Sequence, residues 1–493
     1  MPKSKTGKPT VKTKTAKKAT TQKHTTKILF NRRYVGWLIA SIVAITYLVA
    51  LFSVLKTGLV PTKYLLFIVP VSLLVITGVV VANLRYSWRS LVRSTSLVAV
   101  SLLVVMANSY VFSVSRSTSS FFNNIGSGEY GLESYTVVTK NSSPTTVKQS
   151  QTIGYIADDP NNSAVLDVVS GKTKASQKPL NELASLTVAL DDKNVDTVVM
   201  RSALLPLLQQ NYLSFYQDLR VLDKFDIKVK SKNTKKTDIT KPYAVFIGGI
   251  DTYGEIESVS RSDVNIVAVI NPQTRKVLLI NTPRDYYVQL HGTTGVRDKL
   301  THAGMYGIDM SRQTLEDLYG TPIDYSVRIN FTSLLKIIDK LGSVIVYSDN
   351  DFTSGGYTYE KGYNQLNSKQ ALEFSRNRKS FENGDRTRGQ NQQRVIEAII
   401  EKLNDPRSLL KYQTIVQTLG DSFQTNATSS EVSAILKQQM NTLGSWQVES
   451  VSADGSDSNN VTYSMGGTRL YVMEPEPGSL SSIRQKIVEY TQN

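Results

Sequence analysis

Residues 376–394 read RNRKSFENGDRTRGQNQQR, which sets Arg376, Arg378, Arg386, Arg388 and Arg394 in one short stretch around two acids, Glu382 and Asp385. A guanidinium offers a planar fork of donors that stays charged at any working pH and matches phosphate oxygens; several together suit a pyrophosphate. A solvated basic loop has the same composition, so the stretch alone leaves both readings open. The segment that follows carries Ile396, Ile399 and Leu403 at helical spacing and stops at Pro406. Stepping that stripe backwards by threes and fours reaches Gln392 and Arg388, which predicts that both continue the buried face. The segment before it predicts a helix opening on a Ser368 cap, with Arg376 one turn after Leu372. Two helices then aim guanidiniums from facing ends into one loop-lined pocket.

A second set of groups lies upstream. Asp251 and the triplet Arg261-Ser262-Asp263 bracket a loop between two strand-like runs. Two convergent carboxylates with few other ligands suit Mg²⁺ (or Mn²⁺), hard cations that keep waters and bridge phosphate oxygens. The plainer alternatives are an Asp251 turn cap and an Arg261–Asp263 ion pair. Asn281-Thr282-Pro283-Arg284-Asp285 ends a strand, where Pro283 fixes the exit and delivers Arg284 on a stiff element. Asp285 and Asp385 are the candidates for a general base.

The elements that must hold these groups read as regular α/β from Tyr243 onward. AVFIGGI, NIVAVI and KVLLIN are strand-like, residues 312–318 and 331–341 have helical patterns, and residues 325–329 form a further strand-like run between them. Alternation of this kind predicts a layered α/β/α domain with a central mixed sheet and helices on both faces. Ligands of such sheets gather outside the carboxyl ends of strands, where Asp251, Arg284 and Asp285 fall.

The rest of the chain bounds the setting. Its 493 residues contain no cysteine and three histidines (His24, His291, His302), which excludes disulfides, thiolate chemistry and a histidine-rich metal site. The formal net charge is +16, and eleven lysines and arginines precede the first apolar span with no acid among them. Residues 1–34 read as a basic cytoplasmic tail and 35–116 as three membrane helices, near 35–55, 64–82 and 97–114. Arg85, Arg89 and Arg93 belong with the tail on the cytoplasmic side, so everything after Val114 is expected outside the cell. A Ser/Thr-rich tether at 113–120 leads to an extracellular α/β accessory domain, 117–235. Its helical segment is expected over 202–222, its acids Asp158, Asp159, Asp191 and Asp192 solvated, and a Lys-rich linker over 228–241. The last domain spans 241–493, with its core motifs in 243–405.

Taken together, Gly-Ile-Asp-Thr, Arg-Ser-Asp, Pro-Arg-Asp and Arg-x-Arg…Asp-x-x-Arg…Gln-Gln closely resemble the LytR–CpsA–Psr family of membrane-anchored phosphotransferases. Three spans and an intervening accessory domain look like its capsule-locus (CpsA/Wzg) branch. The resemblance implies transfer of capsular polysaccharide or a related glycopolymer from a polyprenyl-pyrophosphate carrier to peptidoglycan, with release of polyprenyl phosphate. It carries the family's metal carboxylates to Asp251 and Asp263, and its pyrophosphate-binding arginines to Arg261, Arg284, Arg376, Arg378 and Arg388, with Gln392 beside them. Asp385 matches the acid of the arginine-rich loop, and Lys299 a lysine-containing segment before a helix. Two turns depart from the family pattern, at Asn367-Ser368 and Gly342-Ser343, and Gly389-Gln390-Asn391 displaces a family arginine near the Gln-Gln pair. Other readings are a capsule-expression regulator binding DNA through residues 1–33, and a polyprenyl-pyrophosphate-binding module or hydrolase. Capsule-assembly proteins are further partners the branch implies.

Overall fold

The computed structural model describes residues 32–58, 60–85, 91–125, 130–140, 144–230, 237–250, 261–382, 384–404, 423–441 and 446–492. Three helices, α1 (Arg32–Thr57), α2 (Thr62–Arg85) and α3 (Leu91–Ile125), are each long and apolar enough to cross a membrane, with mean hydropathies of 2.5, 2.8 and 2.1 over their spans. The basic tail before them lies outside the described residues. The expected tether at 113–120 is instead the continuation of α3. Its hydroxyls satisfy themselves within the helix, as where Thr118 Oγ1 donates to the Val114 carbonyl at 2.8 Å, and so do not compete with it. Polar side chains link the three spans: Asn83 Nδ2 donates to Ser101 Oγ at 3.0 Å and Asn108 Nδ2 to Thr46 Oγ1 at 3.3 Å. In a solvent without water such bonds hold helices together.

The accessory domain begins at β1 (Tyr130–Lys140) and continues through β2 (Thr152–Ile156), α4 (Asn162–Ser170), β3 (Ser176–Leu180), α5 (Leu183–Asp191), β4 (Thr197–Arg201), α6 (Leu205–Asn211), α7 (Leu213–Gln217) and β5 (Leu219–Lys230). The strands form one sheet in the order β3-β2-β4-β1-β5. Side chains alternate across it, so Val138, Val198 and Met200 pack under α5 and α6 while Val137 and Val199 pack under α4. The helical pattern expected to reach residue 222 stops at Gln217. From there Phe225, Ile227 and Val229 recur every second residue, and that period makes a strand whose Lys228 sits opposite Leu132 of β1. The expected linker therefore starts inside the sheet.

The last domain is built on β6 (Tyr243–Ile250), β7 (Val264–Asn271), β8 (Lys276–Asn281), β9 (Tyr287–Val288), β10 (Asp298–Lys299), α8 (Leu300–Ala303), α9 (Ile308–Tyr319), β11 (Tyr325–Asn330), α10 (Phe331–Leu341), β12 (Val344–Ser348), β13 (Phe352–Ser354), β14 (Tyr357–Tyr359), β15 (Gly362–Leu366), α11 (Ser368–Arg376), α12 (Gly384–Asn404), β16 (Phe423–Thr425), α13 (Ser429–Asn441), β17 (Gln447–Ser452), β18 (Gly455–Thr462), β19 (Gly466–Pro475) and α14 (Pro477–Thr491). Its central sheet is mixed, in the order β16-β11-β6-β7-β8-β17, with β11/β6 and β8/β17 parallel. One face (Phe246, Val267, Val269, Leu278, Ile280) packs under α9 and α14. The other (Ile266, Ala268, Leu279) packs against Ile396 of α12, giving the layered α/β/α arrangement the sequence predicts. A further core joins α10, α11 and α12 to β12 and β15.

The two domains meet over buried charge. Arg201, at the end of β4 and only 2 % exposed, donates to both oxygens of Asp159 at 2.8 Å, pairs with Glu133, and reaches the Tyr306 carbonyl of the last domain at 3.1 Å. Tyr135 and Asn161 supply further donors to the two carboxylates. Burial opposes the charge on Arg201, but Asp159 and Glu133 outweigh it and hold its pKa above the ordinary value. Across the junction, burial pushes Arg328 of β11 down to about 10, with Glu133 opposing. Asp159 is thus no solvated turn acid: Asp158, Asp191 and Asp192 are exposed as expected, whereas Asp159 anchors a junction that spacing alone gave no sign of. Arg201→Met should destabilise the full-length protein by about 3–5 kcal/mol, because two buried carboxylates lose their partner. Burial already raises the pKa of Glu133 and Arg201 opposes the rise, so without Arg201 the deficit should grow as pH climbs from the ordinary carboxyl value near 4 through the folded value of Glu133, and shrink below it. Denaturant unfolding in detergent as a function of pH measures both.

Candidate active site

The upstream groups are brought together by backbone hydrogen bonds among three segments at one end of the sheet. After β8 the Thr282 N–H continues the ladder to the Asn265 carbonyl at 2.9 Å, and the Tyr286 N–H closes a turn over Pro283 at 3.0 Å. Pro283 donates nothing and fixes its own φ, so the turn that carries Arg284 is rigid. Thr301 N–H then bonds the Arg284 carbonyl at 2.8 Å, Leu300 N–H the Tyr286 carbonyl at 2.9 Å, and Ser262 N–H the Thr301 carbonyl at 3.1 Å. Segments 261–263, 284–286 and 299–301 are thereby stitched side by side.

Their side chains form one charged group. Arg284 Nη1 donates to Asp263 Oδ1 at 2.7 Å, and Thr301 Oγ1 donates to the same oxygen at 3.3 Å. Lys299 pairs with Asp285, whose other oxygen lies 3.6 Å from Arg284 Nε. Asp263 thus pairs with Arg284, in place of the Arg261 that the sequence offered as its alternative partner. Burial, and next the charge of Arg284, lower the pKa of Arg261, while Asp263 and Asp285 oppose. Among the described side chains, Arg261, Arg284 and Lys299 thus gather around Asp263 and Asp285.

The arginine-rich stretch approaches the same end of the sheet through α12. This helix lies so close to β8 that a Cβ at Gly389 would stand 2.4 Å from Asn281 Nδ2. Gln393 Nε2 donates to the Val451 carbonyl at 2.8 Å and the Leu279 carbonyl at 3.3 Å, bridging β17 and β8. The family arginine that Gly389-Gln390-Asn391 displaces has no room for a side chain at residue 389. Arg388, next to this contact, is buried as the stripe predicts. The stripe itself runs through Asn391, Val395, Ala398 and Ile399, with Gln393 buried and Gln392 only partly so. Arg376 is the half-buried last residue of α11 and Arg378 is exposed beyond it. The cap of α11 is Asn367, one residue before the expected Ser368: its side chain accepts from the Gln370 N–H at 3.0 Å, and its backbone N–H donates in return to Gln370 Oε1 at 3.0 Å. Arg386 and Arg394 turn elsewhere, to Asp454 at 2.5 Å and to Asp349. Asp251 lies outside the described residues, and Asp385 is described only as a backbone position in the first turn of α12.

Several supporting residues were not foreseen. Asp298 is fully buried and accepts from the Lys299 N–H at 2.7 Å, from His302 Nδ1 at 2.6 Å and from the Ser464 N–H at 2.9 Å. It ties the turn that presents Lys299 to the β18–β19 hairpin. The only signal in the sequence was an acid directly before Lys299.

The contact at Gly389 yields a signed expectation. In an open helix position Gly→Ala stabilises by about 0.5–1 kcal/mol. Here Gly389→Ala should instead destabilise by about 1–3 kcal/mol through overpacking. Adding Asn281→Ala should recover much of the loss, a coupling that denaturant unfolding of the single and double variants would read.

The LytR_cpsA_psr family model matches residues 212–476, more than half of the chain. A polyisoprenyl-teichoic acid–peptidoglycan teichoic acid transferase TagU of Enterococcus faecalis is 30 % identical over 239 residues, covering 47 % of this chain and 78 % of that protein. The TagU of Bacillus mycoides is 32 % identical over 223 residues, covering 45 % and 72 %. Among solved structures, B. subtilis TagV is 27 % identical with a TM-score of 0.43, covering 51 % of this chain and 98 % of that one. The matched segment contains every residue of the charged group and the arginine-rich stretch, and the chain belongs to the LytR_cpsA_psr family.

Proposed function

We propose that this protein is a membrane-anchored phosphotransferase that moves capsular polysaccharide or a related glycopolymer from a polyprenyl-pyrophosphate carrier onto peptidoglycan. The observation that carries the reading is that backbone hydrogen bonds stitch the segments bearing Arg261, Arg284 and Lys299 side by side at one end of the sheet. Fixed cations so arranged suit a polyanion, and the relatives' names supply one class of it, a polyisoprenyl-linked polymer. The acceptor hydroxyl attacks the phosphorus that bears the polymer, the bond from that phosphorus to the bridging oxygen breaks, and polyprenyl phosphate departs with the bridging oxygen. Charge on the leaving phosphate grows in the transition state, where fixed guanidiniums stabilise it without reorganising. Arg261, Arg284, Arg376, Arg378, Arg388, Lys299 and Gln392 are the groups assigned to phosphate. Asp285 or Asp385 takes the hydroxyl proton.

Asp263 presents a hard carboxylate at a strand end, with one oxygen engaged by Arg284 and Thr301, and so fits a Mg²⁺ (or Mn²⁺) site shared with Asp251. Bound there, the ion would offset charge on the phosphate oxygens. The basic tail and the arginines near α2 and α3 favour a cytoplasmic N-terminus, which sets both later domains outside the cell. An apolar carrier there needs shelter from water, at roughly 0.8 kcal/mol per methylene. The layer between the sheet and α12, where Ile396 packs against Ile266 and Leu279, is assigned to it.

The test uses full-length protein in detergent with lipid-linked polymer and peptidoglycan. Arg284→Ala and Arg261→Ala should each lower transfer by about 100-fold or more. Asp251→Ala, Asp263→Ala and excess chelator should each lower it too. Unchanged transfer by folded Arg284→Ala protein would sink the reading. Ile396→Trp should lose long-chain lipid pyrophosphate while keeping a short-chain analogue, since the arginines are untouched.

A further inference from the structure

One surface beside the site has no place in this chemistry. β12 and β15 pair antiparallel, with Val344 opposite Leu366, Ile345 opposite Gln365, Val346 opposite Asn364 and Tyr347 opposite Tyr363. Alternation sends Val344, Val346 and Leu366 into the core shared with α10, α11 and α12, and the other set outward. Ile345 is 58 % exposed, Tyr347 40 % and Tyr363 81 %. The two rings meet edge to face with centroids 5.2 Å apart, and the guanidinium of Arg394 lies 5.9 Å from the Tyr347 ring. Arg394 is itself neutralised by Asp349, and Gln365 Nε2 donates to Ser343 Oγ at 3.1 Å at the far end of the face.

A ribbon face that spends an isoleucine and two tyrosines on solvent marks a contact surface. Its chemistry narrows the partner. Aromatic faces stack on the C–H faces of sugar rings, and phenol, amide and guanidinium groups meet their hydroxyl and amide substituents. With Arg394 paired to Asp349 the face carries little charge, which suits a neutral glycan better than a polyphosphate. It also continues the candidate site, because Arg394 stands on the same helix as Arg388, about 9 Å along its axis. We infer that the exposed β12–β15 face, with Tyr347, Tyr363, Ile345 and Gln365, is a docking platform for the N-acetylated glycan strand of peptidoglycan. The inference rests on the transfer reading for the identity of the acceptor, but not for the binding itself.

The experiment sediments full-length protein in detergent with purified peptidoglycan sacculi stripped of attached polymer. Tyr347→Ala/Tyr363→Ala should weaken co-sedimentation at least tenfold, and a soluble N-acetylglucosamine hexamer should compete with the wild type. Tyr347→Phe/Tyr363→Phe keeps the rings and should bind nearly as well. Binding of a short-chain lipid pyrophosphate should be the same in all three proteins, which certifies their fold. Arg284→Ala should still sediment with sacculi while losing transfer; normal transfer by Arg284→Ala would defeat the proposed function and leave the platform standing. The platform is overturned if the double alanine variant sediments like the wild type. It is equally overturned if that variant loses only free glycopolymer, or only a self-associated form seen by ultracentrifugation.

Discussion

Like charges held together out of water are unfavourable, and the last domain is arranged around that fact. Arg284 lies close enough to Arg261 to lower its pKa, and backbone hydrogen bonds tie both segments to Thr301. The repulsion is contained by Asp263 and Asp285 and by three backbone segments whose N–H and C=O groups bond one another. The cations are thereby fixed in place before any ligand arrives. Preorganisation of this kind is how a site stabilises charge that develops only in the transition state.

The same principle recurs at the junction with the accessory domain, with the opposite outcome. There Arg201 is enclosed by Glu133, Asp159, Tyr135 and Asn161, so its charge is consumed locally and nothing is left for a ligand. That arginine is a structural fastening, held by a carboxylate on each side. The junction also reaches the central sheet, since Arg328 stands on β11 beside β6, the strand that leads to Asp251. The accessory domain is thereby held to the sheet whose end carries Arg261, Arg284 and Lys299.

Much of this was legible from residue order. Apolar runs of the right length marked β6, β7 and β8, and the helix α10 has the bounds its periodicity gave. Gly-Ile-Asp, Arg-Ser-Asp and Pro-Arg-Asp marked strand ends because proline and glycine act locally. What stayed hidden were features set by tertiary contact. Asp159 looks like any turn acid until β4 brings Arg201 beside it. Gln393, not Gln392, turns inward because α12 must bond the carbonyls of two strand ends at once, a demand no helical wheel contains. The strand over 219–230 is masked in the sequence because the apolar spacing of the preceding helices runs on to Leu222, past the point where alternation begins.

The helix α12 shows why these parts belong to one device. Ile396 faces the sheet layer, Val395, Ala398 and Ile399 face the core under β12 and β15, and Arg388 lies at the contact with β8. Arg394 emerges on yet another side, against Tyr347. A rigid rod with its rotation fixed by Gln393 sets all four directions together. Sliding or turning it to improve one contact would spoil the others. Glycine at 389 is what lets the rod sit deep enough for Gln393 to reach both carbonyls, so a residue with no side chain governs where the charged ones stand.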